Sequence, residues 1–342
     1  MLESGWYIHG HFLEKFERQF ADYQSVNYAI GVGSGLDALK ISLASLGIGK
    51  GDEVIIPSHT FFATALSVIS SGAKPILCDA NPDSFNIDPL LAEKLISPKT
   101  KAIIPVHLYG NPADMPAIIK MAAGKRIHVI EDNAQSVGTV QNGIKTGSMG
   151  IINASSFYPA KNLGAYGDGG IISTNDRNLA EFCRKFRNYG ASGKYEFEYA
   201  GLNSRLDELQ AAFLTVKLKH LEKWLMAKRI IAEKYLNNLS DHQSIKLPQS
   251  ANANLSTWHI YPILCERRDE LLNHLREKGI ETLVHYPIPI YRQKVLKDYK
   301  IDPMQFPVTE TVAAKELSLP IYPGLSDAEV DEISETIIDF YK

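Results

Sequence analysis

The chain has 342 residues, long enough to bury a large core and to divide into two domains. Its composition, 45% hydrophobic and 22% charged, is that of a folded globular protein, and a net charge of −3 gives no electrostatic basis for a nucleic-acid or membrane partner. Cys78, Cys183 and Cys265 lie far apart and lack metal-ligand spacing, which fits a cytoplasmic protein without disulfides; no apolar run approaches the roughly 18–20 residues of a membrane span, and Met1 to Trp6 lack the basic and apolar segments of a secretory signal.

In chain order, His11 to Tyr23 reads as a helix with Phe12, Phe16 and Phe20 on one face. Then strands alternate with helices: strand Tyr28–Val32, helix Leu36–Leu46, strand Glu53–Pro57, helix Phe61–Ser70, strand Pro75–Cys78, a helix around Pro89–Ile96, strand Ala102–Val106, helix Ala113–Ala123, strand Ile127–Ile130 and an apolar segment Ile151–Phe157. That alternation predicts an α/β fold with a mostly parallel sheet covered on both faces, whose ligands bind at the carboxyl ends of the strands. After about Asn188 the texture changes. Gly190–Tyr199 is a polar, aromatic loop, Arg205–Leu239 one or two long helices, Trp258–Leu264 a strand, and Arg268–Lys278 and Asp327–Tyr341 helices. The division expected is a large domain over 1–216 and a small C-terminal αβ domain over 217–342.

Lys161 is the most informative residue. It lies between the apolar segment Ile151–Phe157 and the glycine-dense run Gly164-Ala165-Tyr166-Gly167-Asp168-Gly169-Gly170. Lysine is rarely buried unless it is paired or chemically used, and a desolvated lysine can form a Schiff base with a carbonyl. Pyridoxal 5'-phosphate needs such a lysine, a phosphate cup and an acid for its pyridine nitrogen. The strand ending Val129-Ile130-Glu131-Asp132 offers the acid, because a carboxylate there is costly unless it meets a cation. Gln135 stands ready for the ring oxygen. The competing explanation of Asp132, taken alone, is a helix N-cap.

Gly33-Ser34-Gly35 precedes the helix that starts at Leu36, and such a terminus favours an anion. A glycine pair also makes an ordinary tight turn. The run is not a dinucleotide fingerprint, since Leu36 occupies the third glycine position, nor a P-loop, since Lys50 is followed by Gly51. Phe61, after its strand, is placed either to stack on a flat ring or to join the core. His107, after Ala102–Val106, is a candidate to face the same cleft, although a lone histidine is more often structural.

These runs resemble the DegT/DnrJ/EryC1/StrS sugar aminotransferases, pyridoxal-phosphate enzymes of the aspartate-aminotransferase fold (fold type I). The likeness spans nearly the whole chain. It rests on Ser156-Phe157-Tyr158-Pro159-Ala160-Lys161-Asn162-Leu163-Gly164 with Gly167-Asp168-Gly169-Gly170, on Glu131-Asp132 with Ala134-Gln135, and on Asn203-Ser204-Arg205-Leu206-Asp207 with Gln210-Ala211-Ala212. The resemblance implies that Lys161 forms the Schiff base and shuttles the proton, that Asp132 pairs with the pyridine nitrogen and that Gln135 contacts the ring oxygen. It places Ser34, Gly35, Leu36 and Ser156 at the phosphate and Phe61 on the ring. It implies that Asn203 reaches the phosphate of a partner subunit, giving a homodimer with a shared site. Arg205 is then either a substrate contact or a surface arginine at a helix start. Leu36 departs from the threonine of many relatives, and Asn133 from an alanine. Relatives also carry a further segment before Gly5-Trp6-Tyr7-Ile8, so a late or truncated start is expected.

The resemblance further implies L-glutamate as amino donor and a nucleotide-linked keto sugar as acceptor. Gly5-Trp6-Tyr7-Ile8 and His285-Tyr286-Pro287-Ile288-Pro289 look most like the branch that converts dTDP-3-keto-6-deoxyhexoses to 3-amino-3,6-dideoxy sugars, with His285 and Tyr286 near the sugar nucleotide. Amination at C4, or of UDP-linked 3-keto sugars, stays open. A related dehydratase would carry histidine in place of Lys161. A non-catalytic regulatory protein on this fold is the alternative of another class, and a nicotinamide oxidoreductase lacks its glycine fingerprint. No metal site is expected.

Overall fold

The computed structural model describes residues 2–248 and 256–342. In chain order its elements are α1 (His11–Gln24), β1 (Tyr28–Val32), α2 (Gly35–Ser45), β2 (Glu53–Pro57), α3 (Phe62–Ser70), β3 (Lys74–Cys78), α4 (Pro89–Lys94), β4 (Thr100–Ile103), α5 (Met115–Ala122), β5 (His128–Asp132), the hairpin β6 (Val140–Gln141) and β7 (Ile144–Lys145), β8 (Ile152–Ser156), β9 (Gly170–Thr174), α6 (Arg177–Phe186), α7 (Glu208–Leu218), α8 (Leu221–Leu239), β10 (Ile245–Lys246), β11 (Tyr261–Cys265), α9 (Arg268–Glu277), α10 (Pro307–Lys315), β12 (Glu316–Leu319) and α11 (Asp327–Phe340).

Short branched apolar runs, buried on both sides, build a seven-stranded sheet in the order β1-β9-β8-β5-β4-β2-β3. Strands β8, β5, β4, β2 and β3 pair in parallel, while β9 runs against both β8 and β1. Alternate residues of one strand enter opposite cores. Ile172 packs with Ile30, Ile130 and Ile152 on one face, and Ile171 packs with Phe16, Phe20 and Phe157 on the other. This is the mostly parallel, doubly covered sheet expected from the alternation of elements. Strand β9 begins at Gly170, where the glycine-dense run after Lys161 ends, and is not among the strands expected from the sequence; its antiparallel pairing is not legible from its composition.

A second, three-stranded antiparallel sheet, β10-β11-β12, shares a core with the C-terminal half of α8 and with α9 and α11. The expected long helical stretch is two helices, broken at Lys219-His220. The expected division at 216/217 falls inside α7. The change of core lies further on, inside α8: Leu221 and Leu225 pack with Phe16 and Phe157, and Ile231 to Leu239 pack with Tyr261 and Ile263.

The N-cap position of α1 is Gly10, which has no side chain to cap the helix. Glu208, at the start of α7 and 2% exposed, supplies the cap from a distance: its carboxylate accepts the N–H groups of Gly10 (2.9 Å), Phe12 (2.9 Å) and Leu13 (2.8 Å). The bond therefore ties the N-terminal helix to the element that follows Asn203 and Arg205. Glu208→Ala strands these donors and is expected to lower stability by about 3 kcal/mol, read as a shift of the urea midpoint. An unchanged midpoint would show that water caps α1 equally well.

Candidate active site

The loops at the carboxyl ends of β1, β2, β5 and β8 meet the second sheet around a cavity of about 670 Å³. Ser34, Gly35 and Leu36 line it from the start of α2, Phe61 from the start of α3, and Asp132, Gln135, Ser156 and Lys161 from the ends of β5 and β8. His285 and Tyr286 close it from the opposite side, with Ser318 to Ile321 beside them.

One end of the cavity is built for an anion. The first N–H groups of α2 have no acceptor inside the helix. The Ser34 hydroxyl caps the helix by accepting from Asp37 N at 3.1 Å, which leaves the Gly35 and Leu36 amides for a ligand. Gly35 lies against Ser156, and a Cβ there would stand 2.7 Å from the Ser156 Cβ. The close approach brings the Ser156 hydroxyl to the same amides.

The middle of the cavity holds a buried carboxylate. Asp132 is 5% exposed, and burial pushes its pKa up. Thr64 Oγ1 donates to Oδ2 at 2.9 Å and the Ala134 amide to Oδ1 at 3.2 Å, and with the charge of Lys161 they oppose that rise. Phe61 is 58% exposed, on the cavity wall rather than in the core, with its ring 5.8 Å from Tyr286. Gln135 is held by two bonds: Oε1 accepts from Tyr109 N at 2.6 Å and Nε2 donates to the Tyr286 hydroxyl at 3.0 Å. One N–H of its amide is left for a ligand.

Lys161 closes the arrangement. Desolvation pulls its pKa down to about 8, and Asp132 works against that fall. Its Nζ lies 3.4 Å from Nε2 of His259, a half-buried histidine whose Nδ1 is shielded and has no partner among the described residues. A flat, anionic ligand with a cationic ring nitrogen and a carbonyl would satisfy the amides, the carboxylate and the amine together. Those are the properties of pyridoxal phosphate, so the donor set fits that cofactor.

The DegT/DnrJ/EryC1/StrS aminotransferase family model matches residues 1–338. The chain belongs to this family. Among its relatives, the erythromycin biosynthesis sensory transduction protein EryC1 of Saccharopolyspora erythraea is 46% identical over 98% of this chain and 92% of its own length. The dTDP-3-amino-3,4,6-trideoxy-alpha-D-glucose transaminase of Streptomyces venezuelae is 44% identical over 98% of this chain and 89% of its own. Among solved structures, S. venezuelae DesV in complex with a ketimine intermediate superposes with a TM-score of 0.97 at 44% identity, over 100% of this chain and 92% of that one. NtdA from Bacillus subtilis with bound cofactor PMP has a TM-score of 0.93 at 35% identity, over 99% of this chain and 79% of that one.

Three expected site residues of this DegT/DnrJ/EryC1/StrS family member lie off the cavity. His107 does not face the cleft. Its ring is fully buried, with Nδ1 accepting from Ala113 N (3.1 Å) and Nε2 donating to Glu131 (2.9 Å). Its backbone N–H reaches the Asp132 carbonyl at 3.1 Å. Arg205 bonds Asn188 (3.3 Å) and sits over the Tyr189 ring, outside the cavity lining of this chain. Asn203 is exposed and also outside it, as a residue expected to serve a partner subunit's site would be. Residues missed from sequence are Thr64 and His259. Thr64 lies one helical turn after Phe61 and was within reach of the strand-end argument, whereas nothing in the sequence connects His259 to Lys161. The departure at Asn133 is also explained: its amide joins Ser155 (3.1 Å), Ser136 (2.5 Å) and Thr146 (2.8 Å) and fixes the loop after Asp132.

Asp132→Asn removes the anion whose charge favours the Lys161 ammonium. The pKa of the lysine in the cofactor-free protein is expected to fall further below about 8, read from the pH dependence of amine modification at the Lys161 peptide. A rise, or no change, would contradict the coupling.

Proposed function

We propose that the protein is a pyridoxal-phosphate aminotransferase that moves an amino group from L-glutamate to a nucleotide-linked keto sugar. The observation that carries this reading is the joint burial of Lys161 and Asp132 beside an anion cradle in one cavity. The acceptor we favour is a dTDP-3-keto-6-deoxyhexose, giving the 3-amino-3,6-dideoxy sugar. In support, relatives named as dTDP-3-amino sugar transaminases from S. venezuelae and Aneurinibacillus thermoaerophilus are each 44% identical over 98% of the chain.

Bound pyridoxal phosphate supplies an aldehyde for Schiff-base formation and an electron sink. The Gly35 and Leu36 amides and the Ser156 hydroxyl would hold its phosphate, and the Ser34 cap orients the helix that carries them. Asp132 would keep the ring nitrogen protonated, Phe61 would stack on the ring, and the free N–H of Gln135 would donate to the ring oxygen. Lys161 would tether the cofactor and, when free, would be placed to move a proton at the substrate carbon, a role for which an amine near neutrality is suited. His285 and Tyr286 border the sugar.

The homodimer belongs to the same proposal. Asn203 is exposed, and so are Tyr166, Leu209, Phe213 and Val216 on and beside α7, an apolar face of the kind a second copy covers. Cys78, Cys183 and Cys265 are free and buried, which fits a reducing cytoplasm. Among the described residues no helix is long and apolar enough to cross a membrane.

Incubation with glutamate and each of the dTDP- and UDP-linked 3-keto and 4-keto sugars, followed by product mass and NMR, tests the substrate. The dTDP-3-keto sugar is expected to be aminated fastest; preference for a 4-keto or a UDP-linked sugar would overturn that choice. Lys161→Ala is expected to lower turnover by more than about 10⁴-fold. Turnover near wild type would contradict the mechanism, and a purely regulatory role predicts no amination by either protein.

A further inference from the structure

His285 is held more firmly than a substrate contact requires. Its N–H donates to Glu316 Oε2 at 2.6 Å, and its carbonyl accepts from the Tyr109 hydroxyl, which is itself 2.7 Å from His59 Nε2. Ring Nδ1 lies 2.8 Å from Ser318 Oγ, and that hydroxyl bonds the second oxygen of Glu316, Oε1. Glu316 is 0% exposed. Ring Nε2 has no partner among the described residues, and His285 lines the cavity, so the anchored ring turns Nε2 to the ligand space.

A hydroxyl between an imidazole nitrogen and a carboxyl group carries one proton and transmits a direction. With Glu316 ionised, Oε1 accepts from Ser318. Ser318 then accepts from Nδ1–H, and Nε2 presents a lone pair. With Glu316 protonated, Oε2 still accepts from the His285 N–H, so the acid proton sits on Oε1. It donates to Ser318, Ser318 donates to Nδ1, and the ring proton moves to Nε2. We propose that Glu316, acting through Ser318, sets the tautomer of His285 and so decides whether the ring offers the substrate a hydrogen-bond donor or an acceptor. Glu316 and Ser318 are positioning residues. The identity of the substrate group that His285 meets rests on the reaction proposed above: a carbonyl or diphosphate oxygen takes the donor form.

The surroundings allow the tautomer to change without a change of charge on the ring. Burial, and then the charge of Lys161, hold His285 down at about 4. Burial pushes Glu316 up to about 8 against the pull of Ser318, the His285 N–H and Arg268, whose Nη1 also donates to the Glu316 carbonyl at 2.9 Å. Tyr109, Tyr286 and Cys265 lie near Glu316, and burial raises each of them, so they stay neutral there. On the other side of the ring His59 and His259 are held low by burial, and Lys161 titrates close to Glu316. The overlap with Lys161 makes variants, rather than pH alone, the deciding comparison.

In Glu316→Gln the amide oxygen must take the place that faces the His285 N–H, which leaves the NH₂ to donate to Ser318 at every pH. The full chain labelled with ¹⁵N-histidine reports each tautomer by two-bond ¹H–¹⁵N correlation, with His285 assigned by its loss in His285→Asn. The wild type is expected to show Nε2–H below about pH 8 and Nδ1–H above it, and Glu316→Gln to show Nε2–H throughout. The same tautomer in both proteins on each side of that pH overturns the relay. Ser318→Ala serves if Glu316→Gln does not fold: its His285 tautomer is expected to ignore the ionisation of Glu316, and an unaltered transition would equally overturn the relay. In turnover, KM for the keto sugar is expected to rise on the order of tenfold at alkaline pH in the wild type and not in Glu316→Gln. A flat wild-type KM would overturn the contact of His285 with substrate. The tautomers are read without substrate, so absence of amination with every sugar would count against the proposed reaction and not against the relay.

Discussion

The site depends on keeping a carboxylate and an amine dry in the same cavity. Burial drives Asp132 toward its neutral acid and Lys161 toward its neutral amine, while the attraction between them drives both back toward ions. An unpaired buried charge is strongly destabilising, and each residue partly compensates the other, with the Thr64 and Ala134 donors adding to the hold on Asp132. A ligand with a cationic ring nitrogen relieves Asp132 directly, and it frees the lysine to react as an amine. In the proposed reaction that tension would both bind the cofactor and activate the lysine.

The fold sustains that tension through a polar network under the site. Glu131, next to Asp132 on β5, points the other way and accepts from His107, Gly147, Met149 and Gly150 at 2.6–2.9 Å. Asn133 ties the following loop to Ser136, Ser155 and Thr146. Every one of these groups is satisfied, so the end of β5 is fixed without consuming the Asp132 oxygens. Thr64 from α3 then aims one donor at Asp132, and the close contact of Gly35 with Ser156 sets the anion cradle beside it. The second sheet completes the cavity with a ring, His285, whose own bonds lead back to a buried acid.

Local rules made the larger part of this legible. The alternation of apolar strands with helices gave the sheet, and the rule that ligands sit at strand ends pointed to Gly35, Phe61, Asp132 and Lys161, all of which line the cavity. His107 obeyed the same rule and failed, because its neighbour Glu131 and the Ala113 amide satisfy both ring nitrogens on the far side of β5. Long-range contacts were not legible. The approach of His259 to Lys161 spans 98 residues, the cap of α1 by Glu208 spans 198, and the bond of Glu316 to His285 joins two segments that no periodicity relates. Tertiary packing decides such contacts, and one sequence does not encode them in any local pattern.

One rival shares the physical signature of Lys161. Lys228 is 6% exposed, desolvation pulls it down to about 7, and its Nζ is bonded to Asn162 Oδ1 at 2.9 Å. Burial alone would select either lysine; the carboxylate partner and the anion cradle select Lys161. Reconstitution with pyridoxal phosphate, borohydride reduction and peptide mass mapping decides between them. The account predicts the reduced cofactor on the peptide containing Lys161, with loss of labelling in Lys161→Ala. Label on Lys228, or labelling that persists in Lys161→Ala, would contradict it.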